Sequence, residues 1–392
     1  MVLAIVYASK APGDPHRGSS RTITRITSDT LTRHFGVQRR PVDVAALIAR
    51  NASLSVDGNL TSGTFFRRHG RYRRTGSAGM PPGFLNGWSM RVLAMRLFLS
   101  LAVLWLFGMP ANALSATELR FLAAGVERRA VLVNEAPQGE VRPVVIVLHG
   151  GRGSAEEMRQ RTGFDDLAVS QGFSVVFAEG TKWGPGRHAW NTGYLQRRQV
   201  GQTDDVAYFD ALIDLVIARH RADPSRIYMT GGSNGAMMTF VYAARRPERL
   251  AAIAPIVGAM FSFDVRPRTP VPIMMINGAM DNEVPLEGGM SRNPLVARAQ
   301  AAPFKSLKET LEFWIAVNGS DPKPRIDVSG TVTTTTYAAI DGAAPTISIV
   351  DAAGGHGWPG SPAVRSGNRP IQAFRGADRV WEFFSTQRRA VR

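Results

Sequence analysis

Five residues, Gly231-Gly232-Ser233-Asn234-Gly235, fit the G-x-S-x-G pattern of a nucleophile elbow, in which a serine hydroxyl stands exposed on a tight strand-to-helix turn. Glycine accounts for 39 of the 392 residues, so the pattern alone is weak and its setting must carry the reading. That setting is suitable. Residues 226–230 form a short β-rich run after the turn signal Asp223-Pro224-Ser225, and residues 236–244 read as a buried helix. Such a reversal should hold Ser233 in a strained backbone conformation. A serine hydroxyl is a poor nucleophile near neutral pH; it needs a base within hydrogen-bond reach and a group that fixes that base in one tautomer. In elbow proteins the chain order is serine, acid, histidine. Residues 272–276 read as a buried strand running into Asn277-Gly278-Ala279-Met280-Asp281, which puts Asp281 at a strand's carboxyl end. Residues 346–350 read as another strand, and the loop after it, Gly354-Gly355-His356-Gly357, carries His356. Reacting groups in open α/β sheets gather at the carboxyl ends of the strands, so the three positions are mutually consistent.

An anion site completes the set. The unbroken apolar run 144–148 leads into His149-Gly150-Gly151-Arg152-Gly153-Ser154, a glycine-rich loop able to offer a backbone N–H to a tetrahedral oxyanion. Gly151 is the expected donor, and the N–H of Asn234, the residue after the serine, the second. Taken singly, each feature has a plainer role: Ser233 a tight turn, Asp281 a cap, His356 a structural ring, His149 a residue that orders its loop. Four features in the required order, each after a strand, are what separate the catalytic reading from those.

The elements that must position these groups alternate along the chain. Strands are expected at 130–133, 144–148, 173–178, 226–230, 272–276 and 346–350, and helices near 164–170, 205–219, 236–244, from Ser306, and over 371–384. Val206, Phe209, Leu212, Ile213 and Val216 make the apolar stripe of a helix packed on a sheet, with Asp204 or Asp205 as its N-cap. Ser154 with Glu157 and Ser306 with Glu309 have the spacing of capping boxes. Residues 182–202, rich in Gly, aromatics and Arg, are expected to shape the mouth of the site. The alternation predicts an α/β fold: a mostly parallel central sheet with helices on both faces, forming a single catalytic domain.

With these residues in place, the chain resembles the secreted polyhydroxybutyrate depolymerase and feruloyl esterase group of α/β-hydrolases. The resemblance rests on Leu148-His149-Gly150-Gly151, Trp190-Asn191-x-Gly193, Asp204-Asp205-Val206, Gly231 to Met238, Asn277-Gly278-x-x-Asp281-x-x-Val284-Pro285 and His356-Gly357-Trp358-Pro359-Gly360, and spans about residues 125 to 386. It implies the α/β-hydrolase fold, a Ser233, Asp281, His356 triad, and Trp190 and Trp358 flanking the substrate pocket. It favours poly- or oligo-(3-hydroxybutyrate) esters, with feruloyl or acetyl-xylan esters as the alternative. No cofactor or metal is expected, and the partner is a small or oligomeric ester. The chain departs from the group in having no cysteine, where relatives often have several, and in Asn277, where many have His.

A formal net charge of +16 would ordinarily suggest nucleic acid, but its distribution argues otherwise. Residues 1–89 hold 13 Lys and Arg against 4 Asp and Glu, while residues 114–392 hold 32 against 27. Between them, Met90-Arg91 and Met95-Arg96, an apolar run over 97–107 and the small-residue site Ala111-Asn112-Ala113 have the order of a secretory signal peptide. About eleven apolar residues are too few to span a bilayer. The expectation is therefore translation from Met90 or Met95, a signal peptide over 90–113, an esterase domain over 114–392, and residues 1–89 either an upstream mis-start or a disordered basic tail. The product would be secreted, periplasmic or extracellular, without stable membrane insertion or nucleic-acid binding. The rival from another class is a non-catalytic binding protein on the same scaffold.

Overall fold

The computed structural model describes residues 116–194, 198–362 and 369–390. The expectations for the segments 1–89 and 90–113, including both start sites and the cleavage site, lie outside the described residues.

The centre of the fold is built from strands apolar on both sides. In β3 (Arg142–Leu148), Val144, Ile146 and Leu148 point into one core cluster and Val145 and Val147 into another. A strand buried on both faces reads as a continuous apolar run and belongs inside a helix-covered parallel sheet. Its neighbours are β4 (Ser174–Ala178) on one side and β7 (Ala222–Gly232) on the other, both parallel to it. The parallel block continues through β8 (Ala252–Ile256), β9 (Ile273–Gly278) and β12 (Thr346–Asp351). Antiparallel pairs close both edges: β1 (Ala116–Ala123) and β2 (Val126–Val133) beyond β4, and β11 (Val332–Tyr337) and β10 (Arg325–Ser329) beyond β12. The ten-stranded order is β1-β2-β4-β3-β7-β8-β9-β12-β11-β10, and a separate hairpin pairs β5 (Thr181–Gly184) with β6 (Arg187–Ala189).

Helices cover both faces. Against one pack α4 (Asp205–His220), α5 (Asn234–Arg245) and α7 (Leu307–Asn318), through Phe209, Leu212, Met238, Phe240 and Trp314. Against the other pack α1 (Ala155–Thr162), α2 (Phe164–Gln171) and α8 (Gly376–Ser385), through Met158, Phe164, Ala168, Val380 and Phe384. Two short helices, α3 (Arg198–Gly201) and α6 (Pro294–Ala297), lie in the loops. Starts follow local chemistry. Ser154 accepts from the Glu157 N–H at 3.2 Å, Asp204 from the Ala207 N–H at 2.9 Å, and Ser306 with Glu309 forms a reciprocal capping box.

Several expectations change: β1 and the β5–β6 hairpin were not among the expected strands, and β7 begins at Ala222, taking in Asp223-Pro224-Ser225, which was read as a turn. β8 was not among the expected strands; its run contains Pro255, a residue disfavoured in central strands, which sits near the carboxyl end opposite Gly231. The Thr-rich hairpin of β10 and β11 was also missed. The closing helix begins at Gly376 rather than Ile371; Ile371 lies in the irregular segment before it, and its carbonyl accepts the Gly360 N–H at 2.7 Å. Among the described residues no helix is long and apolar enough to cross a membrane.

Candidate active site

Ser233 lies between the end of β7 and the start of α5, with φ 56° and ψ −119°. A non-glycine residue there carries backbone strain of about 1–3 kcal/mol, which persists only where the surroundings fix it. They do so through glycines. A Cβ on Gly235 would meet the Leu148 and His149 carbonyl oxygens at 2.6 Å, and one on Gly231 would meet Gly235 and Leu148 at 2.8 Å. The turn is therefore pressed against the end of β3, and the Ser233 N–H is tied to the Ile256 carbonyl at 3.0 Å. Val257, the next residue after β8, also has positive φ (45°), rare for a β-branched side chain, and it lines the same cavity.

Asp281 is held from its own loop. Its Oδ1 accepts the N–H groups of Glu283 (2.7 Å) and Val284 (2.8 Å), which leaves Oδ2 facing His356 Nδ1 at 2.7 Å. The carboxylate is 2% exposed. The loop carrying His356 is locked to that of Asp281: Ala279 donates to the Asp351 carbonyl (2.9 Å) and Met280 to the Gly354 carbonyl (2.8 Å), and Gly278 and Gly354 approach too closely for a side chain at 278. Burial alone would push the His356 imidazole down. The charge and hydrogen bond of Asp281, with the charge of Glu283, outweigh burial and hold it above the ordinary histidine value.

Glu283 is a residue the sequence reading missed. Its Oε2 stands 3.5 Å from His356 Nε2, and its Oε1 accepts from the Asn293 side chain at 3.2 Å. The signal available was only its place two residues past Asp281.

Opposite the elbow, the loop after β3 brings Gly150 against Ser233 and Gly151 against Asn234, so that a Cβ at either glycine would meet the facing Cβ at 3.5 and 3.6 Å. Arg152 and Gly153 donate to the His188 and Gly150 carbonyls, so the Gly151 N–H stands outside that loop's own bonds. The N–H of Asn234, first residue of α5, has no acceptor within its helix. His149 orders the loop as expected: Nδ1 bonds the Gly150 carbonyl at 2.8 Å, Nε2 accepts from Gly180 at 2.9 Å, and burial lowers the ring's pKa to about 4.

A cavity of about 560 Å³ opens over these groups, and Ser233, Asn234, Gly151, His356, Glu283 and Trp358 all line it. Trp358 packs edge-on against Phe164 at 5.8 Å. Trp183, Pro185, Gly186 and Arg187 of the hairpin form part of the mouth, and Met237, Phe261, Val296 and Phe304 give an apolar wall. Trp190 is a correction: it is fully buried and does not line the cavity. Its indole N–H donates to the His149 carbonyl at 2.9 Å and its backbone N–H to the Asn234 side chain at 2.8 Å, so it braces the loop after β3. Of the two aspartates proposed as a cap, Asp204 takes that role. Asp205 is buried and binds Arg128 (2.8 Å) and the Asn191 N–H (2.7 Å).

A doubly covered parallel sheet with a strained serine at the turn after β7, and an Asp–His pair on the loops after β9 and β12, defines an α/β-hydrolase. The model for the family described as esterase PHB depolymerase matches residues 130–285. NocK of Nocardia uniformis subsp. tsuyamanensis, named an esterase, is 30% identical over 263 residues, 63% of this chain and 75% of that one. The chain belongs to this esterase family and is a carboxylic-ester hydrolase. It is also similar to feruloyl esterase B of Piromyces equi (28% identical, 48% of this chain, 34% of that one) and to poly(3-hydroxyalkanoate) depolymerase C of Paucimonas lemoignei (32%, 30% of this chain, 28% of that one). The chain thus spans about a third of the length of these two relatives. Among solved structures, an acetyl xylan esterase from Aspergillus awamori aligns with a TM-score of 0.49 and 18% identity over 69% of this chain and 99% of that one.

Proposed function

We propose that the chain is a secreted serine esterase in which Ser233, His356 and Asp281 form the catalytic triad, acting on oligomeric 3-hydroxybutyrate esters. The observation that carries the mechanism is the 2.7 Å contact of His356 Nδ1 with the buried Asp281 carboxylate, in the wall of the cavity that Ser233 also lines. Ser233 Oγ attacks the ester carbonyl as His356 Nε2 takes its proton, and the carbonyl oxygen becomes an oxyanion received by the N–H groups of Gly151 and Asn234. The tetrahedral intermediate collapses, His356 returns the proton to the leaving alcohol, and an acyl-Ser233 ester remains. Water, deprotonated by His356, then releases the acid by the same sequence. Asp281 fixes the tautomer in which Nε2 is free to take the serine proton, and it stabilises the imidazolium.

Export is proposed from the segment 90–113, with the esterase domain over 114–392. The substrate reading is supported by the resemblance to depolymerase C and by a cavity whose one wall is apolar. A panel of 3-hydroxybutyrate trimer, methyl ferulate and acetylated xylan tests it. The trimer is expected to give the highest kcat/KM, and a preference of tenfold or more for methyl ferulate or xylan acetate would overturn that assignment.

Glu283 gives a pH prediction. The base must be neutral to act, so a raised His356 pKa moves the acid limb of kcat/KM upward from the ordinary histidine value. Replacing Glu283 by Gln removes one of the charges that raise it. The acid limb is expected to move to lower pH while the protein stays folded; an unmoved limb in the pH–rate profile contradicts the coupling.

A further inference from the structure

The charges lining the cavity do not balance. Arg152, Arg161 and Arg187 face it together with Glu157 and Glu283. Arg161 is paired with Glu157 at 2.6 Å, and Glu283 stands at His356. That leaves Arg152 and Arg187, neither of which has a carboxylate within ion-pair distance among the described residues. The two arginines are tied into one mouth, because Arg152 donates its N–H to the His188 carbonyl at 2.8 Å and Gly153 pairs with His188 across the loop. The Arg187 guanidinium lies over the Trp183 ring at 5.6 Å, which keeps it at the rim.

Arg152 sits where the backbone favours glycine. Its φ is 72°, in a loop with Gly150, Gly151 and Gly153 around it, a conformation that an L side chain adopts only at a steric cost. Exposed guanidiniums over a cavity with an apolar wall suit a ligand with an apolar body and an anionic end. An oligomer of a hydroxy acid has that form: ester-linked aliphatic units and one free carboxylate.

We propose that Arg152 and Arg187 form an anion subsite that binds the free terminal carboxylate of a linear oligoester, so that the enzyme favours short acids over neutral esters of the same length. The proposal rests on the esterase reading above and specifies the substrate of that site. Guanidinium-to-carboxylate hydrogen bonds give both orientation and affinity. The hydrolysed acid would also occupy the subsite, so product should compete with substrate.

The test compares 3-hydroxybutyrate trimer with the same trimer capped as its primary carboxamide, a neutral group of the same shape. The wild-type protein is expected to prefer the acid by about tenfold in kcat/KM, carried by KM, and the preference should shrink in 0.5 M salt. In Arg152→Gly, which relieves the positive φ, and in Arg187→Gln the acid-to-amide ratio should fall toward one; Arg187→Glu should invert it. Because the readout is a ratio of two substrates on one protein, a partly folded variant does not mimic the result. Equal kcat/KM for acid and amide in the wild type, or a ratio unmoved by both variants, overturns the subsite while leaving the esterase intact. If neither trimer is cleaved and a fluorophosphonate fails to label Ser233, the esterase assignment of this site falls and the subsite with it.

Discussion

Replacing Ser233 by alanine is expected to lower kcat on p-nitrophenyl butyrate by about 10⁶-fold, the scale measured when a triad nucleophile is removed. The size follows from the local structure. The serine is the only group at the strained turn over the cavity that the proposed mechanism uses as nucleophile, and Gly151 with Asn234 can stabilise an oxyanion only once something has attacked. The residual rate should be the background that binding and the two amides supply over water. Losing one hydroxyl from a position already at φ 56° should cost little stability, so circular dichroism and thermal midpoint should match the wild type. Near wild-type turnover in a pure, folded variant would remove Ser233 from the mechanism.

The second large effect concerns Asp281. An Asp281→Asn substitution keeps the shape but can present an N–H toward His356 Nδ1, which turns the ring to the wrong tautomer; the expected loss in kcat is about 10⁴-fold. The structure adds a further constraint. Oδ1 accepts two backbone N–H groups, from Glu283 and Val284, so the amide oxygen must stay there and the NH₂ is forced toward the imidazole. No flip of the amide can satisfy both sides. Activity should recover in part at high pH if hydroxide takes over as base, whereas a loss below tenfold at neutral pH would mean that Asp281 does not orient His356.

Much of this arrangement was legible because each group follows a strand with an unambiguous apolar run. Residues 144–148, 272–276 and 346–350 announce buried strands, and the loops that follow carry the glycine loop, Asp281 and His356. The paired glycines at 231 and 235 could be read as room for a close approach, and the structure supplies the partner they approach, the end of β3. What stayed hidden depends on the third dimension. An aromatic on a loop reads alike whether it faces substrate or core; the Trp190 side chain turns inward because its N–H finds the His149 carbonyl. Glu283 has no periodic signature, and its proximity to His356 exists only once two loops meet. β8 contains Pro255, tolerable near a strand's carboxyl end and a warning in its middle. Arg152 was read only as part of the glycine-rich loop and Arg187 only as part of the Arg-rich segment 182–202, since their partners could not be assigned before the cavity was seen.

The central claim is that one serine, activated by one buried Asp–His pair, carries the chemistry. The most direct measurement is covalent labelling with a fluorophosphonate followed by peptide mapping, with ester hydrolysis followed in the same sample. A single label on the peptide containing Ser233, rising in step with loss of activity and absent after Ser233→Ala, is the result this account predicts. A label on another residue that abolishes activity, or full activity with Ser233 blocked, would contradict it.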